Sequence, residues 1–114
     1  MSEAKDKGNK LELYVAGLLK KIFPKARPSN GSGAHGEIGD IAGITGLVIE
    51  CKSRNIKNFV IQKEWWKHLN NEIPIGSPRL PIIVGEDGSS TKYAILSLED
   101  FVRIYEGYLK GESK

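Results

Sequence analysis

The chain has 114 residues, of which 39% are hydrophobic and 27% charged, with a formal net charge of +3. That balance excludes a disordered tail and a bundle of membrane spans, and the length suits one small globular domain, 1–114. The slight positive excess admits nucleic acid as a partner without demanding it, and the single Cys51 rules out an internal disulfide and fits a reducing cytoplasm.

In chain order, residues 1–7 are charged and carry no apolar anchor, so the chain is expected to fray there. No signal-peptide pattern and no apolar run of membrane-spanning length is present, so no membrane partner is expected. Asn9 can cap a helix over 9–23 that Pro24 ends, with Leu11, Val15, Leu18 and Ile22 as its apolar stripe. Glu12 falls at the edge of that buried sector, between Leu19 and Phe23 on the helical wheel, where a helix built only for packing seldom carries an acid. Residues 25–28 read as a short edge strand. A Ser/Asn/Gly-rich loop over 29–36 follows, with Ser29, Asn30 and Ser32 as small donors on a backbone that can approach a phosphate closely; a plain connector is the alternative.

Next come Gly39-Asp40-Ile41 and Val48-Ile49-Glu50-Cys51-Lys52, two runs meeting at Thr45-Gly46, which read as a β-hairpin. A helix is expected over 62–72 with Trp65, Leu69 and Ile73 on one face, then a buried strand over 81–84 and a second over 93–96. Ser97 and Asp100 resemble a capping box for a last helix that presents Leu98, Phe101, Val102 and Tyr105 to the core. The order helix, three strands, helix, two strands, helix implies an α/β fold with a mixed central sheet of five strands flanked by helices.

The hairpin carries the chemistry. Asp40, Glu50 and Lys52 lie within a stretch of Ile and Val, where unpaired charge is costly unless the groups pair or hold a metal. Side chains alternate along a strand, so Glu50 and Lys52 share one face while Cys51 points the other way as a small core residue. One or two carboxylates with water and phosphate oxygens are what Mg²⁺ takes. Asp40 and Glu50 can supply the carboxylates, and the backbone carbonyl of Cys51 a further ligand. Lys52, kept charged by its acidic neighbours, suits neutralising charge on a phosphate rather than acting as a base. A solvated strand end or a structural ion pair is the bland alternative.

Register decides whether these groups can meet. A two-residue turn at Thr45-Gly46 would set Asp40 opposite Cys51, on the wrong face. An odd loop or a bulge would set it opposite Lys52, next to Glu50.

A helix bearing Glu12, then Gly39-Asp40-Ile41, then Ile49-Glu50-Cys51-Lys52-Ser53, then a helix opening with Gln62-Lys63, resembles the PD-(D/E)XK nucleases, which have a restriction-endonuclease-like core. The small size and the loop before Asp40 are most similar to archaeal and phage Holliday junction resolvases. The resemblance spans about residues 8–84. It implies a homodimer that nicks four-way DNA junctions symmetrically with Mg²⁺, or Mn²⁺ in its place. It assigns catalytic roles to Glu12, Asp40, Glu50 and Lys52, and to a serine that is Ser29 or, preferably, Ser32. Arg27 then matches a basic residue ahead of the active-site loop. Two departures stand out: Gly39 replaces the superfamily's proline, and Leu13 follows Glu12 where archaeal members often carry arginine, leaving Lys10 to make that phosphate contact. Other repair or restriction-type nucleases, or a DNA-binding module without activity, are the alternatives.

Lys10, Arg27, Lys57 and Lys63, with Lys20 and Lys67, could form a phosphate-binding face, to which Gln62, Ser29 and Asn30 would add polar contacts. His35 is better suited to a loop contact than to a metal. Trp65 and Trp66 point about 100° apart on a helix, so one is expected at a dimer or DNA surface.

Overall fold

The computed structural model describes residues 3–29 and 38–112. The fold is mixed α/β. Its elements in chain order are α1 (Glu3–Leu19), β1 (Arg27–Pro28), β2 (Ile41–Ala42), β3 (Leu47–Ser53), α2 (Lys63–Glu72), β4 (Leu80–Glu86), β5 (Lys92–Ile95) and α3 (Leu98–Glu112). The strands form not one five-stranded sheet but a three-stranded sheet ordered β3-β4-β5 and a separate ribbon of β1 and β2. The β3–β4 pair is parallel, with Glu50 beside Ile83 and Lys52 beside Gly85, and β4–β5 is antiparallel, with Gly85 beside Tyr93. The parallel pair is joined by a crossover through α2, as parallel strands require.

Strand alternation gives the sheet two apolar faces. Ile49 and Cys51 join Leu11, Val15 and Ala16 of α1 in one cluster, which Ile41, Ile44 and Ala26 complete. Val48 and Ile83 meet Leu69 of α2 on the other face. Cys51 is thus the small core residue expected of it. Trp65 and Trp66 both pack against the second cluster and both stay partly exposed.

α1 begins at Glu3 rather than at Asn9, running through the charged residues expected to fray, and it stops at Leu19, four residues early. Its buried stripe is Leu11, Val15 and Ala16. Leu18 and Ile22, expected in that stripe, are exposed: Ile22 lies past the end of the helix, and Leu18 falls on the side of its last turn away from the core.

α3 departs further. Ser97 caps it as foreseen, with the Asp100 N–H donating to Ser97 Oγ at 3.1 Å. Yet Leu98, Phe101, Val102 and Tyr105 are exposed instead of lining the core. Among the described residues of the helix the buried one is Asp100, on the other side of the wheel, where it pairs with Arg103 at 2.8 Å.

At the far end of β4, Asp87 locks the turn into β5. Its Oδ1 accepts from the Ser89 N–H, the Ser89 hydroxyl and the Thr91 N–H at 2.9, 2.7 and 3.1 Å, and Oδ2 accepts from the Tyr93 hydroxyl at 2.7 Å. These donors favour the anion and hold the Asp87 carboxyl down at about 2. A carboxylate with a folded pKa below its unfolded value stabilises the fold above that unfolded value and stops doing so as pH falls through the folded one. The melting temperature of the wild type should therefore exceed that of Asp87→Asn at pH 5, and the gap should close as the pH falls from about 4 to 2. A gap independent of pH would contradict this.

Candidate active site

The expected hairpin does not form. β2 spends its backbone pairing on β1, with Arg27 beside Ala42 and Pro28 beside Ile41. Ile41 packs against Ile49 of β3, and among the described residues the hydrogen bonds from this segment to β3 come from Asp40, just before β2. The Asp40 N–H donates to the Ile49 carbonyl at 2.7 Å, and Asp40 Oδ2 accepts from the Cys51 N–H at 2.7 Å. Neither of the two registers derived from the sequence is present, since both assumed a continuous ladder.

The parity question has a different answer. The bonds from Arg54 N–H to Glu86 and from Leu80 N–H to Gly46 show that even-numbered residues of β3 turn their backbone groups toward β4. The groups of Ile49 and Cys51 therefore lie on the free edge of the sheet, N–H and C=O together. Asp40 caps that edge, with a carboxylate where a neighbouring strand would have offered a carbonyl. From the edge it is not confined to either face.

Gly39 makes this approach possible. Its φ is +77°, and a Cβ there would lie 2.8 Å from the Ile49 carbonyl oxygen. Proline could not stand in its place, because its φ is fixed near −65° and it lacks the N–H. The Gly39 N–H donates to Glu72 Oε2 at 3.3 Å, and Glu72 Oε1 in turn pairs with His68 Nε2 at 2.7 Å. The end of α2 thus holds the Asp40 turn from one side. From the other, Ser29 donates its N–H to the Asp40 carbonyl and its hydroxyl to the Gly39 carbonyl, both at 2.9 Å.

Glu50 and Lys52 project from β3 on the α2 side, with Lys52 Nζ 3.4 Å from Glu50 Oε1 and both side chains largely buried. The Trp65 ring faces the same ammonium 5.3 Å away, and the guanidinium of Arg54 lies 4.8 Å from that ring. Half-buried Glu12 approaches from α1. Burial raises the carboxyl pKa values of Glu12, Asp40 and Glu50. Asp40 and Glu50 add repulsion at Glu12, and Asp40 adds it at Glu50; Glu72 pushes both Asp40 and Glu50 further up. For Asp40 the Cys51 N–H and Lys52 pull the other way without prevailing. The Cys51 thiol, beside the same acids, is pushed up and stays protonated. The cluster holds more negative charge than Lys52 neutralises, in surroundings that solvate it poorly.

Among the described residues, no three His, Cys, Asp or Glu side chains converge as a ready-made ligand set. Asp40 and Glu50, with the edge carbonyl of Cys51, nevertheless fit a hard divalent cation that takes one or two carboxylates and completes its shell from solvent and phosphate.

Of the expected DNA contacts, Lys10, Arg27, Lys57, Gln62 and Lys63 are exposed. Lys10 lines a cleft of about 350 Å³ with Tyr14, Ser53 and Lys92 and with the acids Glu86 and Asp87. Gln62 occupies the cap position of α2 without a capping bond from its side chain. Ser32, Asn30 and His35 lie outside the described residues, so of the two candidate serines only Ser29 can be placed.

Glu72, Trp65 and Arg54 were not singled out for this site. Glu72 carries the same mark in the sequence as Glu12, an acid on the Trp65–Leu69 packing face of its helix. Comparison with protein-family models, curated proteins and solved structures finds no match.

Proposed function

We propose that this chain is a metal-dependent endonuclease with a restriction-endonuclease-like core, acting as a homodimer on four-way DNA junctions. The observation that carries the reading is the pair of partly buried carboxylates at one lysine: Glu50 lies 3.4 Å from largely buried Lys52, and Asp40, which also feels that ammonium, is bound to the Cys51 N–H at 2.7 Å between them, with Glu12 of α1 near enough to feel both acids. A structural ion pair needs one carboxylate for that lysine, not two.

Mg²⁺, or Mn²⁺ in its place, would be held by Asp40, Glu50 and the Cys51 carbonyl, and supplies positive charge to phosphate oxygens together with acidification of a water. Lys52, held between Glu50 and Trp65, offers a fixed ammonium to the charge that develops on the phosphate. Glu12, whose carboxyl is raised by burial and by Asp40 and Glu50, holds its proton more readily than a free carboxyl and is suited to proton exchange beside the site. Lys10, Lys57 and Lys63 supply phosphate affinity without reading sequence.

The test is cleavage of a labelled four-way junction, a flap and the linear arms with Mg²⁺. Preferential nicking of the junction at paired positions is expected. Equal cutting of all three would remove junction selectivity while keeping the nuclease, and no cutting of any would leave a DNA-binding module.

Matched nicks call for a two-fold dimer. The exposed apolar stripe of α3, rather than Trp65 or Trp66, is the surface suited to it, since half-exposed Phe101, Val102 and Tyr105 follow one another along one side of the helix. Sedimentation should give a dimer mass for the wild type and a monomer mass for Phe101→Glu. A wild-type monomer at micromolar concentration, still nicking at paired sites, would contradict the dimer.

A further inference from the structure

Lys52, Gly85 and Tyr93 form one row across the three-stranded sheet, Lys52 beside Gly85 and Gly85 beside Tyr93. Residues directly opposed across strands share a face, so Tyr93 stands on the same face as Glu50 and Lys52, about 10 Å from the lysine at two strand spacings. Gly85 leaves a notch in the middle of the row. The Phe59 ring fills it, so closely that a Cβ on residue 85 would come within 2.7 Å of the ring. Phe59 lies nearly parallel to Tyr93, with centroids 6.3 Å apart and planes at 28°, and 5.8 Å from Trp65 on its other side.

Each ring is held. The Tyr93 hydroxyl is bound to Asp87, Phe59 sits in the Gly85 notch, and Trp65 lies against Lys52 and Arg54. The floor is not closed over: Tyr93 is 41% exposed, and a cleft of about 320 Å³ opens above it, lined by Lys57, Asn58, Phe59, Ile61 and Tyr93.

From this we infer that the Phe59–Tyr93 cleft is a stacking site for an unpaired nucleobase, one or two nucleotides from the phosphate at Lys52. The identity of the ligand as DNA rests on the proposed nuclease reading. A fixed aromatic face takes any base by stacking at little cost in side-chain entropy. Lys57 places a cation at the rim for the backbone, and Asn58 can both donate to and accept from a base edge. Bases inside a continuous duplex are already stacked and cannot enter. The cleft therefore selects DNA with flared or single-stranded nucleotides next to the cut.

Two measurements without metal separate this site from the chemistry. In the first, wild-type protein is photocrosslinked to a single-stranded oligonucleotide carrying 5-iododeoxyuridine, and the adduct is mapped by mass spectrometry. Adducts on Phe59 or Tyr93 are expected; adducts confined to other segments overturn the proposal. In the second, the affinity of Phe59→Leu for the same single strand and for a linear duplex is compared with wild type. Leucine still fills the notch but offers no π-face. A loss of about tenfold or more for the single strand, with duplex binding nearly unchanged, is expected. Unchanged single-strand affinity, or a change in oligomeric mass in place of a change in affinity, overturns it. If the variant melts below the assay temperature, the crosslink on wild type decides alone. Nicking of the junction with Mg²⁺ is scored separately, so a stacking site without nicking would sink the nuclease reading and leave this one standing.

Discussion

Glu50→Gln is expected to lose at least about a hundredfold in nicking rate while melting at a higher temperature than wild type in metal-free buffer at pH 7. Glu50 is a carboxyl whose folded pKa is raised, by burial first and by Asp40 next, with Lys52 recovering only part of the cost. A group of this kind binds more protons folded than unfolded between its two pKa values, so stability falls as pH rises through that window and the deficit persists above it. Removing the charge removes the deficit. Glu12→Gln should shift stability the same way, since burial, Asp40 and Glu50 all raise its pKa. A purely structural Glu50–Lys52 ion pair predicts the opposite sign, because its loss would leave a largely buried lysine unpaired. Binding of DNA without metal should persist in Glu50→Gln, since phosphate affinity comes from lysine and arginine. Thermal melts from pH 4 to 8 beside single-turnover nicking read both signs at once. A variant that is less stable and equally active would contradict the assignment.

Gly43→Ala is expected to destabilise the fold by about 2–4 kcal/mol, and to reduce activity only through that loss. Gly43 has a φ of +76°, and a Cβ there would collide with the carbonyl of Lys25. The chain crosses that carbonyl as it leaves β2, so the β1–β2 ribbon closes only with glycine at 43. The comparison is Gly46→Ala, where φ is +79° but nothing lies within 4 Å of the new methyl. That substitution should cost only the left-handed penalty, about 1 kcal/mol. Denaturant melts of the two variants separate collision from backbone strain, and equal losses would show that the ribbon yields.

The sequence was most informative where one interaction decides local structure. Apolar periodicity located α2 within a residue of its start, and the Ser97 cap located α3. Glu12 stood out because an acid on a packing face has few other reasons to be there, and Glu72 carries the same mark. The hairpin misled because Thr45-Gly46 has the form of a tight turn, while the outcome was set by β1, which is only two residues long and takes the pairing of β2. No pattern within Asp40–Lys52 records that competition. The α3 stripe was legible as apolar, but periodicity gives a face and not the surface that covers it. The neighbours of Lys52, Trp65 and Arg54, come together only once β3 and α2 are packed.

The central claim is that Asp40, drawn onto the free edge of β3, belongs to a metal-assisted phosphodiester site. Its most direct test is nicking of a labelled four-way junction by wild type and Asp40→Asn, each with Mg²⁺ and with chelator. Asparagine can still accept the Cys51 N–H, so the turn survives while the negative charge is lost. Paired nicks by wild type with Mg²⁺ alone, and none by Asp40→Asn while it binds the junction as tightly, are the expected results. Cleavage by Asp40→Asn at the wild-type rate would contradict the account.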